Sequence, residues 1–212
     1  MNIYLEISEN LQKGKAKAVA ELVEKAANEG SSAKSILEEG LLAGMNIIGE
    51  KFKKNEIYVP EVLVAAKAMS AGTAVLKPFL VSEGVKAAGK VCIGTVKGDH
   101  HDIGKNLVKM MLEGKGLEVL DLGIDVGADR FYEAAVNEGC KVVCCSALLT
   151  TTMGAMKEVV EKFKAEGCRD KVKIMVGGAP VTNEFCVQIG ADAYSPDAAS
   201  AADKAITYFE KL

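Results

Sequence analysis

The chain lacks several things that would each have pointed to a function. It carries no excess of positive charge: 26 Lys and Arg stand against 29 Asp and Glu, for a net charge of −3. A nucleic-acid or anionic-membrane partner would need a basic footprint, so neither is expected. The densest positive run, Lys51-Phe52-Lys53-Lys54, is followed at once by Asn55 and Glu56 and reads as a solvated helix end. No stretch reaches the roughly 18 uninterrupted apolar residues of a transmembrane helix. The opening Met1-Asn2-Ile3-Tyr4-Leu5-Glu6 has neither the cationic nor the apolar region of a signal peptide. Six cysteines are present, but none forms a CxxC pair, and Cys92, Cys144 and Cys145 fall inside apolar runs. Buried, reduced thiols in a cytoplasmic protein are the expectation. No GxSxG elbow exists for a Ser-His-Asp hydrolase, and there are only two histidines and four prolines.

What is present suits a compact globule: 49% of the 212 residues are apolar and 26% are charged. A chain of this length buries a sizeable core without staples. The hydrophobic pattern changes near residue 85. Residues 3–12, 15–28, about 31–52 and 60–79 show apolar positions at helical spacing, punctuated by Gly14, Gly30 and the break Asn55-Glu56-Ile57-Tyr58-Val59. Gly30 is placed to cap one helix, Ser31 and Ser32 to start the next, and Pro60 to open the last. Residues 1–85 are thus expected to form a four-helix bundle, and 81–89 a linker. After residue 90, short apolar runs (Val91–Val96, 117–121, 141–147, 172–176 and a weak 192–195) alternate with helices. Strands that are apolar throughout imply a parallel sheet covered on both faces. Residues 86–212 are therefore an α/β domain, a five-stranded parallel sheet of flavodoxin-like or Rossmann-like winding, with ligands expected at the carboxyl ends of its strands.

Those strand ends carry the distinctive residues. The first exits through Gly98-Asp99-His100-His101-Asp102-Ile103-Gly104, holding both histidines of the chain. As a polar βα loop with Asp102 as helix cap it is ordinary. As a dinucleotide loop it fails, because the glycine spacing is wrong and Asp99 would repel pyrophosphate. As a zinc site it lacks ligands, since its acidic and histidine residues are too close in sequence to close a tetrahedron. A single histidine with a carboxylate two residues away suits a metal that brings its own equatorial ligands: one ring nitrogen ligates, and the other donates to the carboxylate. The third strand exits through the hydroxyl-rich Ser146–Thr152, and the fourth through Gly177-Gly178, where close backbone approach is allowed.

Together these motifs resemble those of the cobalamin-binding module of methionine synthase and of corrinoid methyl-carrier proteins. The correspondence is Asp99-x-His101-x-x-Gly104, then Ser146-x-Leu148 after 41 intervening residues, then Gly177-Gly178 after 28 more. The helical half, with Tyr58-Val59-Pro60-Glu61 opening its last helix, is similar to that family's cap, so the resemblance spans nearly the whole chain.

The resemblance implies roles residue by residue. His101 becomes the lower axial cobalt ligand, Asp99 its hydrogen-bonded partner, and Thr152 a hydroxyl continuing that relay. Ser146 and Thr150 would hydrogen-bond the buried nucleotide tail, while Gly104, Leu148, Gly177 and Gly178 belong to the motifs that shape its slot. Tyr58, Val59 and Met69 are the candidates for covering the methyl-bearing face, and a dry cover protects a reactive centre from water. His100 has no assigned part. The implied cofactor is cobalamin or a related corrinoid, cycling between cob(I)alamin and methylcobalamin. The implied activity is that of a methyl carrier rather than a free-standing enzyme. Its partners would be a substrate-specific methyltransferase for methylamines, quaternary amines or methanol, a second methyltransferase acting on coenzyme M or tetrahydrofolate, and a reductive activase. The stretches GTVKGD, GKN and LLTTTM favour the amine systems. Two other classes share the motifs: a cobalamin-dependent regulator, and the small subunit of an adenosylcobalamin mutase.

Overall fold

A computed structural model describes residues 2–210, which divide into two compact units. One runs through Ala87 and includes Gly114–Gly116; the other comprises Ala88–Glu113 and continues from Leu117.

The helical unit begins with α1 (Ile3–Gln12), whose first turn is capped by the Asn2 side chain accepting from the Tyr4 N–H at 2.9 Å. Next comes α2 (Ala16–Asn28), closed by Gly30 in the left-handed conformation at φ 89°. The third helical run starts as α3 (Ala33–Ser35), capped by Ser32, whose hydroxyl accepts from Ser35 N–H at 3.0 Å. The Glu83 carboxylate accepts from the Ala33 N–H at 2.8 Å and satisfies a second orphan donor of that end. The run then widens to π-helix over Ile36–Leu42 before returning to α-helix as α4 (Ala43–Lys53). That widening is not legible in the apolar periodicity.

The last helix of the unit, α5, spans Val59–Ser82. It starts beside Pro60, with the Glu61 carboxylate accepting from the Tyr58 N–H at 3.1 Å. It continues past Pro78 to Ser82, three residues beyond the expected end at Phe79, so the linker begins later than residue 81. Pro78 cannot donate to the Ala74 carbonyl, and both residues are exposed, so the interruption falls on the outer side of the helix. By length and composition α5 could cross a membrane, with mean hydropathy 1.4 over its best window. The core helix of a globular unit passes the same test, and Val62, Ala65, Ala68, Met69 and Leu76 are buried. Gly72 lies at a crowded point of this core: a Cβ there would stand 2.7 Å from Leu41 Cδ2 and 2.9 Å from Val19 Cγ1.

The second unit alternates strand and helix: β1 (Lys90–Thr95), α6 (Ile103–Glu113), β2 (Glu118–Asp121), α7 (Ala128–Val136), β3 (Val142–Ser146), α8 (Met153–Ala165), β4 (Lys173–Gly177), α9 (Asn183–Ile189), β5 (Ala193–Tyr194) and α10 (Ala198–Ile206). All pairings are parallel, in the order β2-β1-β3-β4-β5. This is the flavodoxin-like winding, whose strand order reverses between β1 and β3. The register aligns Thr95 with Ser146 and Ser146 with Gly177, so β1, β3 and β4 end in one row. Phe131, Met156, Phe163 and Ile174 are fully buried on the sheet and its helices. All six cysteines are buried free thiols, as their apolar surroundings in sequence imply.

Replacing Gly72 with valine should destabilise the protein by about 1–3 kcal/mol, the usual cost of overpacking. Urea unfolding followed by circular dichroism measures it; an unchanged midpoint would show that the bundle absorbs the added methyls.

Candidate functional site

Asp99, at the carboxyl end of β1, is fully buried, and its carboxylate is the meeting point of two loops. One oxygen, Oδ1, accepts from the His101 backbone N–H at 3.1 Å and lies 2.7 Å from the His101 ring Nδ1. The other, Oδ2, accepts from the backbone N–H of Leu148 at 2.8 Å and of Leu149 at 3.2 Å. The Thr152 hydroxyl lies 2.8 Å from Oδ2 and 2.9 Å from the Leu149 carbonyl, and its single proton serves one of them at a time. Burial pushes the Asp99 carboxyl up, but the hydrogen bonds from His101, Leu148 and Thr152 outweigh it and hold the group well below the usual carboxylate range. An ionised carboxylate only accepts, so Nδ1 of His101 carries the proton and donates. In the neutral ring, Nε2 then keeps its lone pair. That nitrogen has no partner among the described residues, and the His101 side chain is 50% exposed.

The backbone around this pair is held by residues that the motifs leave out. The buried Thr95 hydroxyl donates to the His101 carbonyl at 2.9 Å. From the loop after β2, the Asp125 carboxylate accepts from the Gly98 N–H at 2.7 Å, and the Asp125 N–H donates to the Asp99 carbonyl at 3.0 Å. Thr95 looks like any residue of an apolar strand, and Asp125 is distant in sequence, so neither carries a local signal.

The other expected residues occupy the same sheet edge. Ser146 is half-buried at the end of β3, and Thr150 is exposed at the start of the 3₁₀ turn Thr150–Thr152 that leads into α8. Neither hydroxyl has a partner among the described residues, so both remain available to a ligand. The Leu148 side chain is exposed although its N–H is committed to Asp99. Gly104 lies in the first turn of α6, and a Cβ there would meet nothing within 4 Å, so internal packing does not demand glycine. Gly178 differs: at φ 135° it occupies a conformation that side chains avoid, and a Cβ would run into the Ala147 carbonyl. His100 is exposed, as expected of a loop residue without a part. Tyr58, Val59 and Met69 belong to the helical unit, where Tyr58 is exposed, Val59 half-buried and Met69 buried.

Chemically, this edge offers one imidazole nitrogen and no closed ligand set. Among the described residues, no group of three or more His, Cys, Asp or Glu side chains converges to hold a metal ion. A bare ion would therefore be poorly held, whereas a metal already ringed by a macrocycle needs only this one nitrogen. The apolar side chains of Ile103 (77% exposed), Leu148 and Leu149 stand out at the same strand ends, in keeping with a large, partly apolar ligand.

Comparison with known proteins agrees. Residues 89–203 match the B12 binding domain family, and residues 4–77 match a second family described as a B12 binding domain. The chain belongs to the family of B12-binding corrinoid proteins, and its cofactor is cobalamin or a related corrinoid. More particularly, it is 44% identical over 202 residues to the dimethylamine corrinoid protein of Methanosarcina barkeri, covering 94% of each chain. It is 42% identical over 187 residues to trimethylamine corrinoid protein 1 of Methanosarcina acetivorans, covering 87% of each. Among solved structures it resembles a chain of the methanol:cobalamin methyltransferase complex of Methanosarcina barkeri, with a TM-score of 0.88 and 30% identity, over 99% of this chain and 80% of that one.

Two outcomes are expected. Asp99→Asn should cost about 1–3 kcal/mol at neutral pH, because it weakens the acceptor of several buried donors. The lowered native pKa means that this contribution is complete above the unfolded carboxyl range and is lost as pH falls below about 4. The gap in unfolding free energy between wild type and variant, measured from pH 7 to 3, should therefore hold steady down to about pH 4 and begin to narrow below it. Gly178→Ala forces the Ala147 backbone to move and should reduce hydroxocobalamin retention at least about tenfold, the scale of losing one or two well-made contacts. Retention is read by gel filtration and absorbance.

Proposed function

We propose that this protein is a methyl carrier of a methylamine-type methyltransferase system, and that His101 would hold its corrinoid by ligating the cobalt. The observation that carries the reading is the bond between the buried, ionised Asp99 and Nδ1 of a half-exposed His101 whose Nε2 is free. When bound, the corrinoid supplies a cobalt centre that accepts a methyl group and gives it up again.

The chain's own residues supply binding, orientation and proton control. Asp99 fixes the tautomer that leaves Nε2 as the ligating atom and makes that nitrogen more electron-rich. The same carboxylate would hold the Nδ1 proton in place whether or not Nε2 is engaged. Thr152 keeps Asp99 ionised when its hydroxyl points to Oδ2, and releases part of that support when it turns to the Leu149 carbonyl. Ser146 and Thr150 offer hydroxyls to the polar tail of the cofactor. Gly177 and Gly178 give that tail room beside bare backbone, and Leu148 supplies an apolar wall. For the helical unit, with Tyr58, Val59 and Met69, we propose the part of a cover that keeps water from the cofactor.

Relatives named for dimethylamine and trimethylamine support an amine-derived methyl donor, and a neighbour in a methanol:cobalamin methyltransferase complex supports docking to a substrate-specific methyltransferase. A second methyltransferase then passes the group to coenzyme M or tetrahydrofolate, and a reductive activase restores the carrier after adventitious oxidation.

The test is reconstitution with hydroxocobalamin beside His101→Ala. The wild type should show the spectrum of a histidine-ligated corrinoid with its own base displaced, and the variant should lose that signature and bind at least about tenfold more weakly, as expected for one lost coordinate contact. Identical spectra from the two proteins would overturn the ligand assignment.

A further inference from the structure

We propose that Asp125 is a positioning residue for the Asp99–His101 pair: its carboxylate and its own N–H grip the backbone of Gly98 and Asp99 and so set the aim of the His101 ring. The inference rests on the reading of His101 as the cobalt ligand. The residues that mark this site in sequence come from the loops after β1, β3 and β4. The loop after β2 belongs to none of them, yet it flanks the site from the opposite side of β1.

That loop is stitched to β1 beyond the end of β2 itself. Leu122 N–H donates to the Ile93 carbonyl at 2.8 Å, Thr95 N–H to the Gly123 carbonyl at 3.0 Å, and Val126 N–H to the Thr95 carbonyl at 2.9 Å. Between these ties the chain bulges outward at Ile124 and Asp125, both of them exposed. Asp125 adopts φ 54°, one of only two left-handed non-glycine residues among those described. That conformation costs free energy for an L-residue and is best borne by Asp and Asn. Such strain persists where the surroundings impose it, and here the surroundings are the site. Asp125 is exposed, so its carboxylate is not filling a core. Its bonds go to Gly98 at 2.7 Å and, through its N–H, to Asp99 at 3.0 Å.

Asp99 is consequently held from two sides. Its carboxylate is gripped by Leu148, Leu149 and Thr152, while its backbone is gripped by Asp125. His101 has little else to orient it: the Nδ1 bond to Asp99, its N–H to the same carboxylate, and Thr95 on its carbonyl. A ligating nitrogen has to be aimed to within roughly half an ångström. If Gly98 and Asp99 drift, the ring drifts with them.

Three variants separate the contributions. Asp125→Gly removes the carboxylate and the strain together, Asp125→Ala removes the carboxylate and keeps the strain, and Asp125→Asn keeps an acceptor and a residue at ease in the left-handed region. Each is loaded with hydroxocobalamin at pH 7, beside wild type and His101→Ala, and the ratio of histidine-ligated to histidine-free corrinoid is read from the visible spectrum. Thermal midpoints of the unloaded proteins are recorded in parallel. The expected result is a fall of about tenfold in that ratio for Gly and Ala, the scale of one charge-assisted hydrogen bond, with Asn close to wild type. A lowered thermal midpoint with an unchanged ratio would make Asp125 a merely structural residue and overturn the proposal. If Gly or Ala does not fold, the Asn variant decides alone: a ratio depressed about tenfold despite its retained acceptor would also overturn it. If wild type and His101→Ala give the same spectrum, the assignment of His101 falls and this inference falls with it. If those two differ while the Gly and Ala ratios match wild type, only the inference about Asp125 is lost.

Discussion

The site depends on one buried carboxylate. Asp99 is sealed from water, and burial alone would drive it toward the neutral acid. It stays ionised because three backbone N–H groups, a threonine hydroxyl and the His101 ring converge on its two oxygens. The N–H donors of Leu148 and Leu149 survive every substitution except proline, which makes them a durable part of the arrangement. A fixed negative charge below the imidazole then dictates which ring nitrogen bears the proton and which faces outward. An exposed histidine without that anchor would sample both tautomers and many ring orientations.

The sheet explains how residues about 50 positions apart meet at one atom. Thr95, Ser146 and Gly177 share a row of the register, so the loops leaving β1, β3 and β4 start from the same edge. A slip of one residue between β1 and β3 would turn their apolar side chains to the wrong faces and carry Leu148 away from Asp99. Burial of Val91, Val142, Val143 and Ile174 in the two covering layers opposes such a slip. Core packing therefore guards the geometry of the site, and core Val96 reaches it directly, its carbonyl accepting from the Asp99 N–H at 3.1 Å. The loop after β2 contributes from the other flank, through backbone pairing that continues past the end of the strand.

In the helical unit, close packing is bought with small residues. Gly40 and Gly44 let the third helical run approach α1, with virtual Cβ positions 3.1 Å from Ile7 Cγ2 and from the Ser8 backbone. Gly72 does the same for α5 against Leu41 and Val19. The π-helical stretch Ile36–Leu42 coincides with the first of these contacts, since one extra residue in a turn shifts which side chains face inward.

Much was legible in the sequence because it is local. Apolar periodicity located four helical runs and five strands; Gly30 and Ser32 marked a helix end and a helix start; and the spacing of Asp99, His101, Ser146, Leu148, Gly177 and Gly178 singled out one edge of the sheet. Such features follow from backbone preferences and from residue types that act within a few positions of themselves. Other features arose only in the tertiary structure. The continuation of α5 through Pro78 depends on which side of the helix meets water, and the π-helical turn depends on what packs against it. The choice of flavodoxin-like order over its alternatives is a matter of strand pairing between distant segments. The donors to Asp99 from Leu148 and Leu149 are backbone groups that every residue carries, so no side chain announces them. Thr95 and Asp125 act across 6 and 27 positions, through bonds that exist only once the parallel strands have set their register. Sequence thus singled out a histidine and the carboxylate that attends it, while tertiary structure decided what charges and steadies that pair, because those interactions are made between segments the chain itself keeps far apart.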